Sequence, residues 1–108
     1  HNLSLAKPRA ESRRKMKLSG KQVAAARELL GLSQTDLATV AGIARPSISK
    51  FEAGRGELRP TTLTKIQAEL ERRGIEFTNG SGMGVRLNYE KAAEFARTVA
   101  PARNQSEH

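Results

Sequence analysis

The sequence predicts a mainly α-helical protein in which four short helices are followed by a β-hairpin and a C-terminal helix. Two observations predict this fold class. Apolar residues recur at helical spacing in four segments between residues 20 and 74, and a glycine follows each segment, at 31, 42, 54 and 74. Beyond residue 74, apolar residues instead alternate with polar ones, which is the period of a β-strand.

The first two predicted helices both begin after a serine. Ser19 is a candidate N-cap for GKQVAAARELL, which stops at Gly31. Ser33 is the second candidate N-cap, and the helix after it carries Asp36 in its first turn, where a carboxylate interacts favourably with the helix dipole. This second helix stops at Gly42, so we expect it to be short.

The third predicted helix, from about Arg45 to Ala53, has two different faces. Ile48 and Phe51 point towards a core, whereas positions 45, 46, 49 and 50 share the other side, since a helix has about 3.6 residues per turn. Pro46 is compatible with the first turn, because a first-turn N–H has no partner within the helix. The polar side is therefore available to contact a ligand.

Two further helices are predicted later in the chain. One begins near Pro60, ends at Gly74 and carries an apolar stripe of Leu63, Ile66 and Leu70. The last begins after Asn88, a candidate N-cap, and ends before Pro101. We expect one side of it to carry Tyr89, Ala92, Ala96 and Val99. The residues that follow it are expected to be disordered.

A β-hairpin is predicted between these two helices, with NGSGMG as a six-residue loop. An isolated two-stranded hairpin is only marginally stable in water. Its apolar face must therefore pack on the fourth helix, on a second subunit, or on both. We expect this hairpin to be a dimerisation element, and the residues proposed for the contact are Ile75, Phe77, Val85 and Leu87.

The charge of the chain is strongly positive and concentrated at its start. The net charge is +8 over 108 residues, which favours a polyanionic partner. Residues 1–17 contain six Lys or Arg and one Glu, and they fit either a solvated, disordered tail or an arm that contacts DNA. The chain has no cysteine and no long apolar run, so we expect no disulfide, no thiolate metal site, no membrane span and a cytoplasmic location.

Neither catalysis nor nucleotide binding is expected. The only histidines are the terminal His1 and His108, and no pair of carboxylates has a recognisable acid–base context. The segment GSGMG lacks the following Lys-Ser/Thr of a phosphate-binding loop, and the residues after it alternate like a strand. The sequence therefore predicts no enzymatic activity, no cofactor and no metal site.

A short helix, a glycine turn and a second short helix with a polar face are typical of the helix-turn-helix, whose second helix lies in the DNA major groove. The stretch LSQTDLATVAGIARPSISKFEAGRGELRP resembles the Xre/Cro-type DNA-binding domain of phage repressors and many small bacterial regulators. The resemblance rests on Ser-Gln at 33–34, Leu37-Ala38, Gly42, Ser47-Ile48 and Phe51-Glu52-x-Gly54. It covers, and implies, a DNA-binding core over 18–74. The charge and periodicity on either side predict a basic flexible arm at 1–17, the hairpin at 75–88, and a helix and disordered tail at 89–108.

The resemblance also implies roles for individual residues. Base contacts are expected from Arg45, Pro46, Ser49 and Lys50, and contacts with the DNA backbone from Ser33, Gln34, Ser47 and Arg55. In this interpretation Arg45 donates two hydrogen bonds to guanine, and the Pro46 ring contacts a thymine methyl group. Arg27 and Glu52 are implied to form a structural ion pair between the first and third helices, the alternative being two independent surface charges. Ala44 departs from the family, which often has a capping hydroxyl there, so the sequence defines the first residue of the third helix only to within one position.

The expected function is therefore sequence-specific binding of double-stranded DNA by a bacterial transcriptional regulator, with repression or autoregulation as the favoured mechanism. A two-fold homodimer would place its recognition helices roughly 34 Å apart on an inverted repeat. Two alternatives stay open. One is an antitoxin-type protein that binds DNA and neutralises a partner protein through its C-terminal segment. The other is a nonspecific nucleic-acid binder that acts through the basic arm.

Overall fold

The computed structural model describes residues 17–99, so most of the predicted basic arm and the predicted tail lie outside the described residues. Within this range the helices are α1 (Gly20–Leu30), α2 (Gln34–Ala41), α3 (Arg45–Glu52), α4 (Pro60–Arg72) and α5 (Tyr89–Val99). The strands β1 (Ile75–Asn79) and β2 (Met83–Leu87) lie between α4 and α5 and form one antiparallel sheet. The predicted fold class is confirmed.

Local capping sets the ends of α1 and α2. The Ser19 hydroxyl accepts a hydrogen bond from the Gln22 N–H, and the Gln22 side chain accepts one from the Ser19 N–H, both at 3.1 Å. Ser33 and Asp36 form the same reciprocal pair at 2.9 and 3.0 Å. Both helices end at the predicted glycine, each with a φ of 73° that residues with a Cβ rarely adopt. The two predicted serine N-caps are thus confirmed.

A single apolar core lies among α1, α2, α3, α4 and the start of the hairpin. Its largest fully buried apolar side chains are Val23, Leu37, Ile48, Ile66, Leu70 and Ile75. Burying one such side chain contributes about 1.5–3 kcal/mol relative to leaving it exposed. Because Ile48 and Phe51 bury one side of α3 in this core, the opposite side remains at the surface.

The hairpin is longer and its loop shorter than predicted. The strands pair from Ile75 opposite Leu87 to Asn79 opposite Met83. The loop is therefore residues 80–82, instead of the six residues expected from NGSGMG. The pairing of the strands extends beyond the residues that alternate between apolar and polar, as far as Asn79 and Met83. This is possible because backbone hydrogen bonds hold the strands together and do not depend on the type of side chain.

The apolar face of the hairpin packs within its own subunit. Strand β1 packs on α4, as one of the predicted options, but β2 packs on α1, which the sequence did not indicate. Ile75 is 1% exposed and belongs to the core of its own subunit, which leaves its side chain almost no surface for the predicted contact with a second subunit. Phe77 and Leu87 pack partly buried against the same core, and Val85 is half-buried.

Gln22 connects the hairpin to α1. Its side chain is almost fully buried, and its Nε2 donates to Asn79 Oδ1 at 2.7 Å and to the carbonyls of Thr78 and Gly84 at 3.2 Å. Gly84 permits this arrangement, since a Cβ there would lie 2.9 Å from the Thr78 hydroxyl. A buried carboxamide must be hydrogen-bonded, and here its partners are the backbone and side chain of the hairpin. These bonds explain why β2 lies on α1.

Helix α5 lies on the surface of the domain. The apolar stripe predicted for it is not buried: Tyr89 is 82% and Val99 51% exposed, and none of the helix is buried. Of that stripe, Ala92 is half-buried and lies against Gly74, where a Cβ would be 2.9 Å from the Ala92 nitrogen.

Phe95 contacts α4, with its ring centroid 4.9 Å from the guanidinium carbons of both Arg72 and Arg73. Cation–π contacts contribute about 0.5–1 kcal/mol at exposed sites. The start of α5 is also joined to β1, because Lys91 Nζ lies 3.3 Å from Glu76 Oε2.

Candidate nucleic-acid interface

Helix α3 starts at Arg45 without a side-chain cap. Ala44 is the N-cap residue, and it has no hydroxyl to accept a hydrogen bond from the first turn. Pro46 lies in that turn, where it removes an N–H that would have no helical partner. The Ser47 N–H donates to the Ala44 carbonyl at 3.0 Å, which closes the first turn. The helix therefore begins where the sequence predicted, although the family's usual cap is missing.

The four residues predicted to contact bases lie along the surface of α3, away from Ile48 and Phe51. Arg45, Pro46 and Lys50 are exposed, and Ser49 is half-buried. Arg55 is exposed in the loop after α3, and its N–H donates to the Lys50 carbonyl at 2.8 Å. A face with three cations and a short hydroxyl side chain can donate hydrogen bonds to bases and phosphates.

Arg27 and Glu52 join α1 to the end of α3. The Arg27 Nε donates to Glu52 Oε2 and its Nη2 to Oε1, each at 2.9 Å, and the two side chains are only 13% and 6% exposed. Arg27 Nη1 also donates to the carbonyl of Leu32 at 3.0 Å. The hydrogen bonds to Glu52 raise the pKa of Arg27 above its usual value, so the guanidinium stays charged.

Gln34 extends this pair to the start of α3. Its Nε2 donates to Glu52 Oε1 at 3.0 Å, and its Oε1 accepts from Arg45 Nη1 at 2.8 Å. The four side chains Arg27, Glu52, Gln34 and Arg45 thus form one hydrogen-bonded chain, which we call the arginine relay. The sequence suggested only a phosphate contact for Gln34. It could not reveal the relay, because Glu52 lies 18 residues further along the chain.

Gly20 allows α1 to approach the end of α3. A Cβ at this position would lie 2.0 Å from the carbonyl oxygen of Phe51 and 2.9 Å from the Cα of Glu52. Any side chain here would therefore displace α3. The sequence identifies Gly20 only as the residue after the Ser19 cap, because no local sequence pattern indicates that the backbone of another helix lies against it.

The remaining predicted backbone contacts lie at the start of α2 and within α3. Ser33 is exposed, and its hydroxyl accepts from the Asp36 N–H while keeping its own proton available. Gln34 and Ser47 are half-buried. Within residues 17–99, no group of three or more His, Cys, Asp or Glu is arranged to hold a metal ion. No helix in the described part of the chain is long and apolar enough to cross a bilayer.

The comparisons with known proteins concern the same region. A helix-turn-helix family model matches residues 23–75. The match includes all of α2 and α3 and every member of the arginine relay, and it ends at Ile75, the first residue of β1. A search of curated proteins finds no match.

Proposed function

We propose that this protein binds a specific operator with α3 in the major groove. The premise is that residues 23–75 belong to the Xre/Cro-type helix-turn-helix family of DNA-binding transcriptional regulators. The observation that carries this proposal is the exposed side of α3, where Arg45 is held at the end of the arginine relay. Occupation of the operator would then repress transcription, including that of its own gene.

Arg45 is the main base reader in this proposal. A guanidinium has five N–H donors, so the bond from Nη1 to Gln34 leaves others for guanine O6 and N7. Gln34 limits the directions that the long Arg45 side chain can take, which reduces the entropy lost on binding. A bidentate arginine–guanine pair contributes about 1–3 kcal/mol of discrimination. Pro46, Ser49 and Lys50 supply the remaining base contacts.

Contacts with the DNA backbone set the register of α3 in the groove. Ser33 and Gln34 at the start of α2, with Ser47 and Arg55, are the residues proposed for them. Arg55 supports this role best, since its exposed side chain follows the end of α3. Such contacts carry no base preference of their own.

We also propose that the regulator is a homodimer, which places two α3 helices roughly 34 Å apart on an inverted repeat. Because Ile75 is used by the core, the proposed contact is reduced to Phe77, Val85 and Leu87, which are all half-buried. Sedimentation should show a dimer at micromolar concentration. A monomer both free and on DNA would remove the dimer from the proposal.

The test of the function is selection of duplexes from a random-sequence pool by the purified protein, followed by footprinting. We expect enrichment of an inverted repeat whose half-sites are about one turn apart. Binding of all sequences alike would instead support the nonspecific nucleic-acid binder. The same selected duplex then serves as the probe for the variants described below.

A second candidate function is that of an antitoxin, which binds DNA and neutralises a partner protein. It is supported by α5, an amphipathic helix that buries none of its residues and exposes Tyr89 and Val99. A partner could cover this helix without blocking α3. Co-purification of an unrelated chain that is lost after Tyr89→Ala would favour this candidate.

A further inference from the structure

The tip of the hairpin stands beside the end of the recognition helix α3. We define the hairpin tip as residues Asn79–Met83, of which every residue is exposed. Met83 forms one wall of a cleft of about 270 Å³, whose other walls are the end of α3 at residues 52–54 and the start of α1 at residues 19–21. The hairpin tip is therefore close to the end of α3 and to the start of the loop that contains Arg55.

The position of the hairpin tip is fixed by hydrogen bonds rather than by its own loop. The buried Gln22 donates to Asn79 Oδ1 at 2.7 Å, and the Ser19 hydroxyl donates to Met83 Sδ at 3.1 Å. The same segment of α1 holds α3, because Gly20 lies directly against the Phe51 carbonyl. Hairpin tip and recognition helix are thus attached to one rigid element, the start of α1.

The surroundings of the hairpin tip are basic and open. Lys17 and Lys21 are exposed, the Lys17 carbonyl accepts from Asn79 Nδ2 at 3.4 Å, and Lys21 lines the cleft. The hairpin tip itself has no acidic residue. The loop glycines at 80 and 82 have no neighbouring atoms where a Cβ would be, so a polyanion can approach the backbone closely.

We propose that the hairpin tip, together with Lys17 and Lys21, is a second DNA-contacting surface that binds phosphates beside the groove entered by α3. This inference rests on the proposed function and adds a contact that lies outside the family match at residues 23–75. Double-stranded DNA is the partner that fits, because the surface is cationic, open and continuous with the end of α3. Phosphate contacts are independent of sequence, so this surface increases affinity for every duplex and not selectivity.

Three variants at Ser81 test the charge of the hairpin tip. Ser81 is exposed at the middle of the loop, so Ser81→Gln, Ser81→Glu and Ser81→Lys should all fold, which thermal unfolding will verify. Ser81→Glu should weaken binding to the selected and the scrambled duplex by the same factor, relative to the equally large Ser81→Gln. Ser81→Lys should strengthen both and steepen the plot of log K against log salt by about 0.9. Equal affinities for the Glu and Lys variants would overturn the proposal.

The double variant Lys17→Ala/Lys21→Ala tests the flanking cations. Two lost phosphate contacts should reduce the salt slope by about 1.8, because each contact accounts for about 0.9. Arg97→Ala is the control for loss of one positive charge elsewhere, since Arg97 lies on α5, which follows the opposite end of the hairpin. An unchanged slope in the double variant, or a reduction of about 0.9 in the control, contradicts the proposal.

The outcomes separate this inference from the function on which it rests. If the wild-type protein selects a duplex and Arg45→Ala loses that selectivity, the proposed function holds whatever the hairpin tip does. If no duplex is selected, the proposed function itself fails. Should Ser81→Glu instead dissociate a dimer in sedimentation without altering the affinity of each subunit for DNA, the hairpin tip is a subunit contact and the proposal is wrong.

Discussion

The arginine relay predicts strong energetic coupling between Arg27 and Glu52. Two hydrogen bonds of 2.9 Å join the side chains, which are 13% and 6% exposed. Removing one partner of a buried ion pair costs about 3–5 kcal/mol, because the other charge stays buried without a partner. Arg27 keeps its bond to the Leu32 carbonyl and some contact with water, so we expect Glu52→Ala to cost about 3 kcal/mol of the free energy of unfolding.

A double-mutant cycle measures this coupling directly. Urea unfolding, followed by circular dichroism, should show that Arg27→Ala and Glu52→Ala together cost less than the sum of the single losses, by about 1–3 kcal/mol. The control cycle pairs Arg27 with Glu28, which lies 3.9 Å away and is largely exposed. Its coupling should be below about 1 kcal/mol, since exposed ion pairs contribute little. Additive losses in the first cycle would refute a coupled, buried pair.

Three further predictions concern recognition, packing and pH. Arg45→Ala should cost about 1–3 kcal/mol of binding free energy on the selected duplex and little on a scrambled one, whereas Arg55→Ala should weaken binding to both alike. Fluorescence anisotropy at one salt concentration measures both variants. Equal losses on the two duplexes for Arg45→Ala would make Arg45 a backbone contact. Gly20→Ala should destabilise the fold by about 1–3 kcal/mol in urea unfolding, because the new Cβ would meet the Phe51 carbonyl at 2.0 Å. This loss is expected despite the better helix propensity of alanine. The control Gly80→Ala, which has open space around it, should be nearly neutral. The hydrogen bond from Arg86, with those from Asn88 and Lys91, lowers the pKa of Glu76 from 4.5 to about 2. The ionised Glu76 therefore stabilises the fold fully above its unfolded pKa, and this contribution is lost as the pH falls from about 4.5 towards about 2. Glu76→Gln should make the free energy of unfolding less dependent on pH in this range, and an unchanged pH dependence would contradict this role of Glu76.

The helices and their ends follow from the sequence because the interactions that set them are local. Each serine cap bonds a backbone N–H three residues away, as at Ser19 and Ser33, and each glycine stop acts through its own φ. The helix-turn-helix and its polar face could therefore be predicted, and the family match agrees. The base and phosphate contacts assigned to single residues stay predictions, since they depend on a duplex.

The tertiary structure decided how distant segments meet. Gln34 and Glu52 are 18 residues apart, and Gln22 reaches a carbonyl 62 residues later. The Arg27–Glu52 pair, 25 residues apart, was implied only by the family resemblance. No periodicity or cap encodes such a pairing, because it depends on how the helices and the hairpin pack around the core. The sequence alone thus determined which face of α3 is polar. Packing decided that Arg45 is held by Gln34, that Ile75 is enclosed in its own subunit, and that the hairpin tip stands beside the recognition helix.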